Sequence, residues 1–369
     1  MDQIGASRSW RPGTTRLDAL LIALLAALTV ASGVVWWNVL DRRDEAQASL
    51  PATSAGSSSS PSSSGSASVP PAGSPGRSTA PEDDLPRSAE PLGLRQIVWR
   101  HNVGPDWAMS TISSKGSRGT VVLASGEQEV APLVSHDRRT VLYVRRERPG
   151  ERSSLHAVAA DGSVQRLLFR DGSASCPFLR QVVWSVDGTL GVVCKLEGAQ
   201  PTYLLATART DGTFLRTLDV GVIGGPTFSP DGRQLLYPKA SSGSYKQGGA
   251  LYVVDVDGSD EPTKVLGGRN VSPAWAPTGT TVAFSRLLDD DRARVVTASV
   301  DEEDPELEDV TPGDELDVDP SWSPDGKALV FRRQLDDEHS RLVVVDRDGD
   351  DERELSRSGM IGSPSWTPR

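Results

Sequence analysis

The sequence predicts an all-β fold: a six-bladed β-propeller of four-stranded antiparallel blades, preceded by one transmembrane helix and a disordered linker. Three observations predict it. A large apolar residue followed by a tight-turn motif recurs along the chain. Short apolar runs separated by turns fill the space between its copies. The first ninety-odd residues divide into an uncharged apolar stretch and a tract rich in Ser, Pro, Gly and Ala.

The clearest copy of the motif is VDPSWSPDGKALVFRR, residues 318–333. Asp-Gly between two apolar runs is a hairpin signal, because Gly reaches the positive φ that a tight turn requires. Related copies are GGPTFSPDGRQLLYPK, VSPAWAPTGTTVAFSR and LRQVVWSVDGTLGVVCK, with a degenerate one, APLVSHDRRTVLYVRR, and a truncated one, GSPSWTPR, at the end. The apolar residues before the turn are Val134, Trp184, Phe228, Trp275, Trp322 and Trp366, at intervals of 50, 44, 47, 47 and 44 residues. A strand-rich period in the forties is that of a propeller blade.

Each repeat accommodates four strands. The anchor ends the first, and a run such as ALVF or TVAF forms the second. A polar loop leads to a third, such as RLVVVD, and a second Asp-Gly turn leads to a fourth. Those second turns are Asp161-Gly162, Asp211-Gly212, Asp257-Gly258 and Asp348-Gly349, whereas the repeat after Trp275 carries the acidic run DEEDPELED instead. Trp366 lies three residues from the C-terminus, so its blade needs strands from elsewhere. Residues 95–131 offer RQIVW, WAMSTI and GTVVLA. A sheet made from both chain ends leaves no open edge in the ring. The count is six blades, or seven if the N-terminal strands divide differently.

Repeats of the form P-x-W-S-P-D-G before an apolar strand resemble the TolB-type propeller. Pro320–Gly326 match fully, Pro226–Gly232 with Phe for Trp, and Pro273–Gly279 with Ala for Ser and Thr for Asp; the copies at Trp184 and Val134 lack both prolines. The resemblance covers about residues 95–369 and implies a fold that serves as a partner-binding scaffold, a sensor or an enzyme accessory domain.

The segment ahead of the repeats sets the expected location. Residues 1–16 form a short tail and 17–40 a membrane helix, built on the 22 uncharged positions Ala19–Leu40. At 1.5 Å per residue these span about 33 Å, enough for a bilayer core. Trp36 and Trp37 stand near one end, where indoles favour the interface. The alternative is a cleaved signal peptide cut near Ala31–Gly33. Arg8, Arg11 and Arg16 precede the span against Arg42 and Arg43 after it, which places the N-terminus inside. Residues 41–93 read as a flexible tether and 94–369 as the propeller, outside the cytoplasm. The chain has 33 Arg and only 6 Lys, a bias that fits a GC-rich bacterial genome.

Cys176 and Cys194 flank Trp184, and an extracytoplasmic setting permits a disulfide. A plain hairpin centred on Asp187 pairs position 180, not 176, with 194, so a bridge requires a bulge or turn-back; the alternative is two small buried thiols. No metal-binding, phosphate-loop or nucleophile-elbow motif is present. His101, His136, His156 and His339 are scattered. Asn270 begins an NVSP sequon. The formal net charge is −11, which disfavours nucleic acid as a partner.

A cation stands eleven residues after each of the first five anchors: Arg145, Lys195, Lys239, Arg286 and Arg333. Two residues before each is Tyr143, Val193, Tyr237, Phe284 or Phe331, on the same strand face. These cations open the long loops, so they form either a cationic ring for an anionic ligand or part of the structural repeat, stacked on the aromatics or paired with acids. The expected function is a non-catalytic scaffold for a protein or cell-envelope ligand bound at the long-loop rim, with no cofactor and with membrane contact through one helix. The alternatives are a lactonase-like propeller hydrolase with its site at the channel mouth and a sensor subunit signalling through a partner.

Overall fold

The computed structural model describes residues 85–369, apart from 104–105, 126–127, 147–152, 171–175, 198–201, 241–244, 290, 337 and 359–360. The expected membrane span Ala19–Leu40 and tether lie outside them. Among the described residues no helix is long and apolar enough to cross a membrane. Regular structure there is all strand except for one 3-10 turn, Tyr245–Gln247.

The described residues open with β1 (Gln96–Val103), β2 (Asp106–Ser113) and β3 (Arg118–Ser125) as their first strands, which pair in sequence order. The last strand of the chain, β23 (Ser365–Trp366), joins this sheet beside β1, with Ile97 opposite Trp366. A second sheet contains β4 (Gln128–Val134), β5 (Thr140–Arg146), β6 (Ser153–Ala159) and β7 (Gln165–Arg170). A third contains β8 (Phe178–Trp184), β9 (Leu190–Lys195), β10 (Tyr203–Ala208) and β11 (Phe214–Val220).

The remaining eleven strands form one continuous sheet made of three four-stranded units. The first is β12 (Thr227–Phe228), β13 (Gln234–Lys239), β14 (Gly249–Asp255) and the leading half of β15 (Thr263–Trp275). The trailing half of β15 starts the second unit, with β16 (Thr281–Leu287), β17 (Ala293–Ser299) and the two-residue β18 (Glu308–Asp309). The last is β19 (Leu316–Trp322), β20 (Ala328–Gln334), β21 (Ser340–Asp346) and β22 (Arg353–Ser358). The acidic run after Trp275 thus precedes and enters β18, the outer strand of its unit.

All six anchors end the first strand of a unit, and the turn chemistry explains why. The residue after the anchor is a buried Ser at 135, 185, 229 and 323. The Oγ atoms of Ser135, Ser229 and Ser323 accept from the backbone N–H five residues on, at 3.0, 2.9 and 2.9 Å, and donate to the turn Asp. These hydroxyls, the largest cause in each case, hold the Asp231 and Asp325 carboxyls below the usual range. The following Gly takes φ 73° at Gly232 and 68° at Gly326. A Cβ at Gly232 would lie 2.4 Å from Ser185 Oγ of the preceding sheet, so close packing also requires Gly there.

The degenerate copy keeps this geometry at a cost. Arg138 occupies the Gly position with φ 60°. A left-handed non-Gly residue costs about 1–2 kcal/mol. Its Nε and Nη1 are also buried without hydrogen-bond partners. Arg138→Gly is expected to stabilise the protein by about 1 kcal/mol, since the conformational relief exceeds the added unfolded-state entropy. A higher urea midpoint at unchanged slope would show this.

The core lies between successive sheets. Period-two alternation gives each second strand one face toward the preceding sheet and one toward the next. Val141 and Tyr143 of β5 pack with Val98 and Met109, whereas Leu142 and Val144 pack with Leu179 and Val182 of β8. Successive first strands are also bonded: Trp275 N–H donates to Thr227 Oγ1, and Trp322 Nε1 to the Ala274 carbonyl.

Ordered structure starts before the boundary expected at residue 94. Thr140 Oγ1 donates to the Pro86 carbonyl at 2.6 Å, and Leu92 N–H donates to the Arg138 carbonyl at 2.8 Å. Arg95 pairs with Asp325 in another first turn. Residues 86–95 therefore run along the rim that carries these turns.

Candidate functional site

The second strands end where connections of variable length begin. The turns after first strands are uniformly short, as at 135–139, 229–233 and 323–327, while the connections after second strands range from five residues at 288–292 and 335–339 to nine at 240–248. The five cations of the repeat lie at this junction, but in seams between sheets. Arg145, Lys239, Arg286 and Arg333 share a face with Tyr143, Tyr237, Phe284 and Phe331, each of which packs against the preceding sheet.

Several of these cations are accounted for by local chemistry. Arg145 lies 5.8 Å over the Tyr143 ring and donates to its hydroxyl at 3.4 Å. Lys239 Nζ pairs with Asp219 at 2.7 Å, and the Tyr237 hydroxyl donates to the same carboxylate. Burial and then Asp219 push the Tyr237 pKa up. Arg333 is clamped by Asp317 at 2.7 Å and Glu352 at 2.6 Å, over the Phe331 ring. The Asp317 hydrogen bond, the largest cause, raises its pKa. Arg286 packs against Gly268, whose added Cβ would meet its guanidinium at 2.9 Å.

Lys195 departs from the other four. The third repeat is one residue shorter at its turn: Trp184 pairs with Leu190, six positions on, whereas Val134 pairs with Val141, Phe228 with Leu235, Trp275 with Val282 and Trp322 with Leu329, each seven positions on. One residue of slip exchanges the faces of a strand. Val193, on the face of Lys195, accordingly packs with Leu235 and Tyr237 of the next unit. Of the two readings of these cations, the structural one accounts for Lys239 and Arg333, which are paired with acids, and for Arg145 over Tyr143, while Lys195 faces the opposite way and so is not equivalent to the other four.

The first strands bring together residues that the sequence did not single out. Three residues before their anchors stand Ser272, Asp319 and Ser363. Ser272 Oγ donates to Asp319 Oδ1 at 2.6 Å, Ser363 Oγ donates to Oδ2 at 3.1 Å, and Arg332 pairs with Oδ2 at 3.3 Å. Ser272 and Asp319 have φ 48° and 58° at the irregularities of β15 and β19. Such positive φ values away from Gly were the only local signal, and no sequence pattern announces them. One carboxylate thus ties three consecutive first strands together.

Cys176 and Cys194 form a disulfide with Cα atoms 5.2 Å apart. The required bulge is present: Leu179 pairs with Cys194 and Gln181 with Val193, leaving Arg180 as the extra residue. His101 Nε2 contacts Ser110 Oγ at 3.0 Å, and His156 Nε2 contacts Ser154 Oγ at 2.8 Å, with His156 and both serines buried. His136 is exposed, and exposed His339 is paired with Asp336. Asn270 is fully buried and donates to the Gly249 and Gly267 carbonyls, which removes the sequon as a surface acceptor.

No curated protein matches the sequence. Among solved structures, TolB from Acinetobacter baumannii is similar, with TM-score 0.61 and 18% identity over 74% of this chain and 67% of that one. A TolB-type protein from Agrobacterium tumefaciens is similar at TM-score 0.56 and 20% identity, over 73% of this chain and 91% of the other. At these identities the likeness shows the fold. The family described as TolB beta propeller domain matches residues 106–369. With anchor-turn repeats over this span and antiparallel four-stranded sheets joined between the chain ends, the chain belongs to the TolB-type β-propeller family.

Proposed function

We propose that the chain is a membrane-tethered, extracytoplasmic scaffold with six blades that binds a protein or cell-envelope ligand without catalysis. The sheet closed by β23, the two other separate sheets and the three units of the long sheet supply the six blades of this reading. The observation that carries it is the polarity of the rims. Residues 86–95 approach along the uniform-turn rim. A tether from Ala19–Leu40 would then join the propeller at that rim and leave the connections of variable length on the opposite rim free. Variable loops on a rigid scaffold are where recognition usually resides. The Cys176–Cys194 disulfide fits an oxidising compartment.

Photo-crosslinking in cells tests this reading. With the full chain, a crosslinking residue at exposed Asp336, in a loop after a second strand, is expected to give an envelope adduct. The same residue at exposed Arg233, in a first turn, is expected to give none. A reporter active only outside the cytoplasm, fused after Arg369, is expected to be active. Adducts from Arg233 alone, or activity only from a cytoplasmic reporter, would overturn the proposal.

A further inference from the structure

The seam between the second and third sheets contains two arginines that neither the repeat nor the fold explains. Arg146 ends β5 on the same face as Leu142 and Val144, which pack against the third sheet. Arg180 is the extra residue of the β8 bulge, and its neighbours Leu179 and Val182 belong to the same shared core. Arg180 is near enough for its charge to act on Arg146, so both arginines stand at this seam. The Cys176–Cys194 disulfide lies in that core and fixes the strand ends beside Arg180.

Both arginines are half-buried, and the Nε of each is shielded from solvent without a hydrogen-bond partner. Among the described residues no carboxylate forms an ion pair with either. Burial and then the charge of Arg180 push the Arg146 pKa down, while Tyr203 acts the other way. The last unit shows the balanced case: its irregularity carries Asp319, matched by Arg332. In the third sheet the bulge residue is a cation and so is the group facing it.

Buried like charges oppose folding unless a counter-charge is supplied. Guanidinium groups are planar forks suited to the paired oxygens of a carboxylate or phosphoryl group, and two converging forks suit one shared anion. We propose that Arg146 and Arg180 form an oxyanion-binding site in the seam between the second and third sheets, taking a carboxylate or phosphoryl group. The site concerns a small anion and stands whether or not the scaffold reading holds.

Thermal unfolding of the full chain at pH 7 tests it, in potassium phosphate or potassium acetate against potassium chloride at matched ionic strength. Binding to the folded state raises the midpoint in a saturable way, by about 2–4 °C at tenfold excess over the dissociation constant. Arg146→Gln and Arg180→Gln should each lose the saturable part and keep only the general salting effect of phosphate. Arg233→Gln, at an exposed turn, should respond like the wild type. In chloride alone Arg146→Gln should melt at or above the wild-type temperature, because a like-charge contact is gone. Saturation by acetate would assign a carboxylate ligand, and saturation by phosphate alone a phosphoryl group. The same anion response in wild type and both seam variants would overturn the proposal. So would a clearly lower midpoint for Arg146→Gln in chloride, which would make the pair part of the protein's own packing.

Discussion

A chain ending at Ser358 is expected to lose the cooperative unfolding transition of the full protein or to melt far below it. Residues 359–369 carry β23, the strand that joins the end of the chain to β1. They also supply Thr367, whose N–H donates to the Gln96 carbonyl and whose hydroxyl accepts from the Gln96 N–H, and Ser363, which donates to Asp319. Without them β1 has a free edge on the side that β23 occupied, and buried Ile97 and Trp99 lose Trp366 and Ile361 from their shared core. An open apolar edge invites pairing with other chains, so aggregation should accompany the loss. Trp366→Ala isolates the packing term and should cost roughly 3–5 kcal/mol, as truncation of a buried aromatic does. Denaturant unfolding measures both. A truncated chain that melts with the full-length protein would show that the two ends do not depend on each other.

Arg333→Met is expected to destabilise the protein by roughly 3–5 kcal/mol. Asp317 is 1% exposed and the Arg333 side chain 11% exposed, so the charge left behind cannot be rehydrated without local opening. The same physics predicts recovery: Arg333→Met together with Asp317→Leu should regain most of the loss, because an apolar pair of similar volume carries no desolvation penalty. A loss of less than about 1 kcal/mol for the single variant in urea unfolding would mean that water reaches Asp317 once Arg333 is gone. A structural role for Arg333 also explains why the cation recurs beside an aromatic: it closes the seam over Phe331.

The regularity that made the repeat visible also misplaced Lys195. Counting eleven residues from each anchor treats every turn as equal. SVDGT between Trp184 and Leu190 is one residue shorter than its counterparts, and strand period two turns that difference into a change of face. The disulfide was an open alternative for a related reason. A bulge changes which residues oppose each other, and a bulge such as that at Arg180 has no required residue type. The boundary at residue 94 fell late because residues 86–92 are irregular and are held by hydrogen bonds to a turn fifty positions away.

The sequence by itself determined the strand order, the anchors at the ends of first strands and the joining of the chain ends through Trp366. These follow from local rules: Gly or a strained substitute at positive φ, a Ser-Asp pair that caps the turn, and apolar alternation along each strand. Only the tertiary structure decided which seam each charged side chain enters. It gave Arg333 two carboxylates, set Asp319 between Ser272 and Ser363 of neighbouring units, and brought the charge of Arg180 within reach of Arg146. The physical reason is that a charge is balanced or stranded by groups far away in sequence, and a single-residue change in turn length or a bulge is enough to change those groups.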